Sequence, residues 1–266
     1  MTPTLLHIYD QYLYALVALV GTAFGVAGIQ WFLQQSRWSA WARSLHGVAP
    51  PFINIIGVLF GLTLAFLAND TWSAHDRATN AVFREADSLR SLMTLTEALP
   101  EPLQNRVRMA IADYGQASAA EWPFLARRQS SAQVPDRADK LLRLLASRDI
   151  ASATSDNVQA LMLRKMSDIR DERDQRIGLS QTHVNPLKWL GMAFLGLVTL
   201  LSLAVVHVES SRAALVSMVL FSLAAAPTAA IVLIQGNPFE QPSAVSSAPI
   251  AAAVAGLRSL PLLPDR

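Results

Sequence analysis

The chain has no cysteine, which removes disulfides, thiolate-held metals, iron–sulfur clusters and cysteine nucleophiles together. Charge is scarce too. Only 16% of the 266 residues are Asp, Glu, Lys or Arg, against roughly 25% in soluble domains. A formal balance of +2 supplies no general field for nucleic acid, and no long basic block occurs. There is no Gly-x-Ser-x-Gly, no HExxH and no glycine loop for phosphates. None of the five histidines, His7, His46, His75, His183 and His207, lies at zinc-type spacing from another ligand. Enzyme chemistry is therefore not expected, and neither a metal nor a cofactor is implied. The opening residues lack the basic segment of a secretory signal, so the first apolar stretch is expected to stay in the mature protein.

What is present is apolar length. Hydrophobic residues make up 52% of the chain and mean hydropathy is +0.30. Of the 42 acidic and basic side chains, 33 lie between residues 69 and 188. Two nearly uncharged ends thus flank a polar middle. Four uncharged stretches, 13–33, 48–68, 189–208 and 213–235, each hold 20 or more residues. At ~1.5 Å per residue they match a hydrocarbon core of ~30 Å. Trp31, Trp38, Trp41 and Trp189 stand at their ends, where indoles favour the headgroup zone.

The fold class expected is all-α, a multi-pass membrane protein of four spans in two hairpins. Its parts are residues 1–68 as the first membrane hairpin, 69–186 as a helical insert, 187–236 as the second hairpin and 237–266 as a tail. Both termini and the insert then share one side. Near the span ends that side carries Arg77, Arg84, Arg173, Arg176 and Lys188, against Arg37, Arg43 and Arg212 opposite. The bias makes the insert cytoplasmic.

No proline interrupts Phe52–Leu99, so the second span is expected to run on as one helix. Val82, Ala86, Leu89, Met93 and Thr96 then form a seam at spacing 4, 3, 4, 3. A second insert helix starts at Pro102 with Leu103, Val107, Ile111 and Tyr114 on one face, and a loop covers 127–133. Pro135 opens a third helix presenting Leu141, Leu142, Leu144 and Leu145. Ser155 or Asp156 caps a fourth, whose stripe is Val158, Leu161, Met162, Lys165, Ile169 and Glu172. Ile250, Val254 and Leu257 suit a short final helix resting on the membrane surface or on a neighbouring subunit.

Inside the second span, Asn54, Gly61 and Ala68 recur every seven residues with Gly57 and Leu64 beside them. An amide in hydrocarbon needs a partner, so this stripe faces either water in a permeation path or another helix that packs closely. Gly21-x-x-x-Gly25 with Gly28 marks a packing face in the first span. Asn69, Asp70, His75, Asp76, Glu85 and Asp87 are the candidate vestibule or gate residues. His207 with Glu209 reads as an interfacial pair. In the charge-dense run Arg164–Arg176, helical spacing brings Arg170 to Asp174 and Glu172 to Arg176 on a solvated face. A cluster of Glu85 and Asp87 with Asp168 and Glu172 is the sharper alternative.

The stretch PFINIIGVLFGLTLAFLANDTW (51–72) followed by Val82-Phe-Arg-Glu-Ala-Asp-Ser-Leu89 resembles the bacterial bestrophin-like membrane proteins. The likeness continues through Leu99–Leu103, Tyr114, Glu121-Trp-Pro123, Arg170–Arg176 and Asn237-Pro-Phe239. It implies the architecture of bestrophins: homopentameric channels with four membrane segments per subunit and a cytosolic helical body. It also implies a bacterial inner membrane. The narrow neck that the second membrane helix lines there falls on Ile53, Ile56, Gly57, Phe60, Gly61 and Leu64, and the amide stripe adds Asn54 to these pore-lining candidates. The aromatic-rich and acidic calcium-clasp signatures of animal bestrophins are absent, so calcium gating is not implied. The expectation is a homo-oligomer in membrane lipid that passes an ion and binds no nucleic acid. The rivals are a non-conducting scaffold or signalling module whose insert binds a partner, a motor-stator-like scaffold, and a helical-bundle enzyme. No Asp or Glu lies within the four stretches, which counts against an ion-coupled stator.

Overall fold

The computed structural model describes residues 3–35, 37, 41, 44, 49–181 and 186–255, and no strand occurs among them. Expectations for Trp38, Arg43, His46, His183 and Leu257 fall outside these residues. The chain divides into two compact units, Met1–Ser73 with His183–Gly236 and Ala74–Thr182 with Asn237–Arg266.

Four helices supply the first unit. Helix α1 is Pro3–Gln35 and α2 is Ala49–Leu95. Pro50 and Pro51 occupy the first turn of α2, where a missing N–H costs nothing. With no later proline, α2 runs unbroken for 47 residues, about 70 Å at 1.5 Å per residue. Further along the chain lie α8, Pro186–Val206, and α9, Ser211–Ile234. Pro186 opens α8 three residues before the apolar run. Ser210 caps α9 by accepting from the Ala213 N–H at 3.3 Å.

Among the described residues three helices are long and apolar enough to cross a membrane, within Phe52–Ala98, Leu187–Val206 and Ser211–Ile234. Only 17 to 22% of their most apolar stretches is buried, so large side chains such as Phe66, Leu190, Phe194 and Leu223 point outward. Apolar groups turned away from the protein are at home in lipid and costly in water. In α1 the apolar stretch is the shorter Leu19–Leu33. Val26 and Ile29 of α1 pack with Leu200, Ala204 and Met218. Phe60, Leu67 and Ala68 of α2 pack with Met192 and Val232.

The second unit is a helical body with one continuous core. The distal part of α2 contributes its expected seam: Val82, Ala86 and Leu89 are buried, Met93 partly so, and Thr96 lies in a single 3-10 turn (Thr96–Ala98). Next come α3 (Glu101–Ala119), α4 (Trp122–Ala126), α5 (Gln133–Leu145), α6 (Arg148–Ala153), α7 (Asp156–Gln181) and, in the tail, α10 (Ala248–Ala255). Val107, Ile111 and Tyr114 are buried on α3, as the spacing predicts. The short helix α6, which the sequence pattern does not mark, is capped by Ser147. Ser155 caps α7 by accepting from the Val158 N–H at 3.4 Å.

Two expectations are corrected. The buried stripe of α7 is Met162, Met166, Ile169, Arg173, Arg176 and Ser180, at spacing 4, 3, 4, 3, 4, and Leu161 is 47% exposed. The helix is turned because two arginines occupy core positions, which a search for apolar residues passes over. The described tail rests on its own helical body: Ile250 and Val254 join the core, with Val254 lying over Gly115 of α3. A Cβ at Gly115 would sit 2.5 Å from Val254 Cγ1, so glycine is what admits the tail helix. Asn237 anchors the start of this segment by donating to the Leu125 and Ala126 carbonyls, both at 3.1 Å.

Candidate functional site

The membrane-proximal half of α2 was expected to present seven residues to one path, and the helix divides them. Phe60 is buried within the chain, its ring 5.2 Å from that of Phe221 and its edge 3.3 Å from where a Cβ on Gly196 would stand. Ile53, Ile56 and Leu64 are partly buried on the same side as Phe60. Their spacing of 3, 4 and 4 continues through Leu67 to Thr71, and these six residues form the face that packs on the chain's own helices. Phe60 is thus a packing residue, and so is Ala68 of the small-residue stripe, which is 8% exposed.

Asn54, Gly57 and Gly61 lie on the flank of that face and are exposed. No atom stands within 4 Å of a Cβ built on either glycine, so neither is explained by close packing inside the chain. Asn54 hydrogen-bonds to nothing among the described residues. Thr63 differs, since its hydroxyl donates to the Leu59 carbonyl at 2.8 Å and needs no outside partner. At the end of this segment Asn69 is exposed, and Asp70 forms an exposed ion pair with Lys188. Trp72 Nε1 donates to Gln235 Oε1 at 3.2 Å.

The remaining vestibule candidates belong to the helical body and separate as well. Asp76 and Asp87 are exposed and form no ion pair among the described residues. His75 is half-buried, with Nε2 against the Ser243 carbonyl of the tail. Glu85 does not line an open vestibule. It is fully buried and at the centre of an ionic network.

Glu85 Oε2 accepts from Arg176 Nε at 2.8 Å, and Glu85 Oε1 accepts from the hydroxyls of Ser118 at 2.7 Å and Tyr114 at 3.0 Å. Arg176 Nη2 donates to Ser118 Oγ at 2.8 Å and lies 4.0 Å from Glu121 Oε2. Arg173 takes Glu121 by both nitrogens, Nη2 to Oε1 at 2.6 Å and Nε to Oε2 at 3.1 Å. Glu121 Oε1 also accepts from the Ser131 N–H at 2.9 Å. The Arg176 guanidinium stacks 4.8 Å from the centre of the Trp122 ring, which also meets Phe239 edge-on and donates from Nε1 to the Val245 carbonyl at 2.6 Å. Two buried carboxylates and two buried guanidiniums thus neutralise one another, the condition under which charge survives in a core. Burial first and the Glu85 charge second push the Tyr114 phenol well above its ordinary value, so it remains a donor.

This network overturns the expected pairing along α7. Arg170 reaches Asp139 of α5 at 3.4 Å and Glu172 reaches Arg84 of α2 at 3.6 Å. Asp87 and Asp168 do not join Glu85; Asp168 pairs with Lys165 at 3.0 Å. No group of three or more His, Asp or Glu side chains able to hold a metal occurs among the described residues. Tyr114, Glu121 and Arg176 were visible as motif residues, but their meeting was not. Their partners lie 29, 52 and 91 residues away in sequence.

A family model for the Bestrophin-like domain matches residues 20–250 of the chain. Solved structures match over almost its whole length. A membrane protein variant superposes with a TM-score of 0.66 at 13% identity, covering 93% of this chain and 97% of its own. Two single-substitution variants of a bacterial bestrophin homologue from Klebsiella pneumoniae superpose at TM-scores of 0.64 and 0.66, both at 14% identity. They cover 94% and 93% of this chain and 95% and 97% of their own. No curated protein matches the chain significantly in sequence. At such identities the likeness to the solved structures shows the fold.

Proposed function

Since this chain belongs to the bestrophin-like family, we propose that it assembles as a homo-oligomer in the bacterial cytoplasmic membrane and passes ions along an axis bordered by α2. The apolar stretch of α1 supplies a fourth span, the helical body is cytoplasmic, and a pentamer is the stoichiometry that family membership suggests. The residues assigned to the path are Asn54, Gly57 and Gly61, with Asn69 at its end. Ile53, Ile56 and Leu64 border it from the packed side. Asp76 and Asp87 are the carboxylates left to a vestibule.

One observation carries this reading. Asn54 sits in an apolar, outward-facing helix with no hydrogen-bond partner among the described residues, and a bare amide in hydrocarbon costs several kcal/mol on the order of magnitude known for buried polar groups. Water in an axial path, or the same amide of neighbouring copies around it, relieves that cost. Dipoles of this kind can select ions, and the apolar residues beside them can gate by dewetting.

Current through planar bilayers holding the purified protein tests the proposal. Ion-selective conductance that Asn54→Leu reduces or reselects is the expected result. A well-folded oligomer that passes neither cations nor anions refutes it and leaves an anchored scaffold whose helical body binds a partner.

A further inference from the structure

The first unit holds a feature that ion passage does not use. Between α1 and α9 runs an open cleft of about 590 Å³. Its apolar walls are Leu19, Ala23 and Val26 of α1 and Leu215, Val219 and Leu223 of α9. The two hydroxyls in the cleft are already engaged, Ser222 by donating to the Met218 carbonyl at 2.7 Å and Thr22 within its own surroundings. Nothing in this part of the cleft can orient a polar ligand.

The cleft changes character at one end, where Gln30, Trp31 and Gln35 complete it. Gln30 donates to the carbonyl and hydroxyl of Ser211 at 3.2 and 2.8 Å, which fixes this end beside the start of α9. Trp31 is 60% exposed and has no hydrogen-bond partner among the described residues. Arg212 follows Ser211, and Arg37 lies two residues past Gln35. Both are exposed, and neither forms an ion pair among the described residues. Glu209 is the one nearby acid on this loop and pairs with neither.

From Leu19 to Gln35 the cleft follows α1 for about 24 Å at 1.5 Å per residue. One leaflet with its headgroup layer is of the same length, about half of the 40–45 Å bilayer. We infer that this cleft is a binding site for an anionic phospholipid, an acyl chain lying between α1 and α9 and the phosphate held at the Trp31–Arg212 end. The aliphatic walls fit a chain, and the indole N–H with the Arg212 guanidinium, which has no ion-pair partner among the described residues, fits a phosphate.

The test uses the full-length protein in phosphatidylcholine vesicles containing lipid brominated on its acyl chains, which quenches tryptophan on contact. The Trp31 signal is the difference between the wild-type protein and Trp31→Phe. Brominated phosphatidylglycerol should half-quench it at a mole fraction about fivefold lower than brominated phosphatidylcholine, the preference one interfacial cation confers. Arg212→Gln should bring that ratio close to one, and Ala27→Phe, which fills the cleft, should remove the preferential quenching. The ratio compares two lipids on the same variant, so partial unfolding, which affects both titrations alike, does not imitate the result. Equal quenching by both lipids in the wild-type protein overturns the proposal in favour of ordinary boundary lipid. A Trp31 signal that neither lipid quenches also overturns it, because a second copy of the chain then covers the cleft.

Discussion

Replacing Glu85 by alanine removes the central acceptor of the helical body, and the outcome can be worked from the contacts. Three donors lose their partner at once: Arg176 Nε at 2.8 Å, Ser118 Oγ at 2.7 Å and Tyr114 Oη at 3.0 Å. Arg176 keeps Ser118, but its nearest countercharge becomes Glu121 Oε2 at 4.0 Å, and Glu121 is already engaged by Arg173. A neutral group of four buried charges becomes a group with one uncompensated cation. Breaking a buried pair in this way costs about 3–5 kcal/mol. At roughly 2–8 °C per kcal/mol, the melting temperature should fall by about 6 °C or more. Trp122, stacked on Arg176, supplies a local fluorescence signal for the melt in detergent. The double variant Glu85→Leu, Arg176→Met should recover most of the loss, since removing both charges leaves no unpaired ion, Arg173 and Glu121 still neutralising each other. Melting of Glu85→Ala within about 2 °C of the wild-type protein, or a double variant as unstable as the two single losses added, would refute the reasoning.

Other outcomes follow from the same coordinates. The folded chain holds the Tyr114 proton longer than the unfolded chain does. That contribution to stability is therefore complete below pH of about 10 and lost as pH rises above it; denaturant titrations should show the loss, and Tyr114→Phe should abolish this slope while lowering stability at neutral pH. Gly115→Ala should loosen the tail helix, because the new methyl meets Val254. Faster hydrogen exchange over 248–255 is the readout, and Val254→Ala in the same chain should restore protection. A Cβ at Gly57 or Gly61 meets no atom within 4 Å among the described residues, so Gly57→Leu and Gly61→Leu should leave secondary structure unchanged while reducing conductance or assembly, measured by bilayer current and by mass in detergent. Asp70→Asn removes an exposed ion pair with Lys188 and should change stability by less than about 1 kcal/mol in a thermal melt.

How much of this was legible depends on how far a residue's partner lies along the chain. The apolar stretches were readable because lipid imposes a length and bars charge, and both are properties of a window of sequence. The continuous α2 was readable from the missing prolines, and the cap of α7 from Ser155. The face of α7 was not. Arg173 and Arg176 look like solvated charges until Glu121 and Glu85, 52 and 91 residues away, are placed against them. Phe60 was assigned to the path by resemblance to the bestrophin neck, and an α-helix has no inside until Gly196 and Phe221 stand on one side of it.

By itself, then, the sequence determined which segments are helical, which can enter a bilayer and where a polar body interrupts them. These follow from local backbone chemistry and from the cost of charge in hydrocarbon. Only the tertiary structure decided which side of each helix is spent on the chain's own packing. It left Asn54, Gly57 and Gly61 open, closed the Glu85–Arg176 network from solvent, and formed a largely apolar cleft from two helices nearly two hundred residues apart in the chain. Burial is a relation between distant segments, and no window of sequence contains both of its terms.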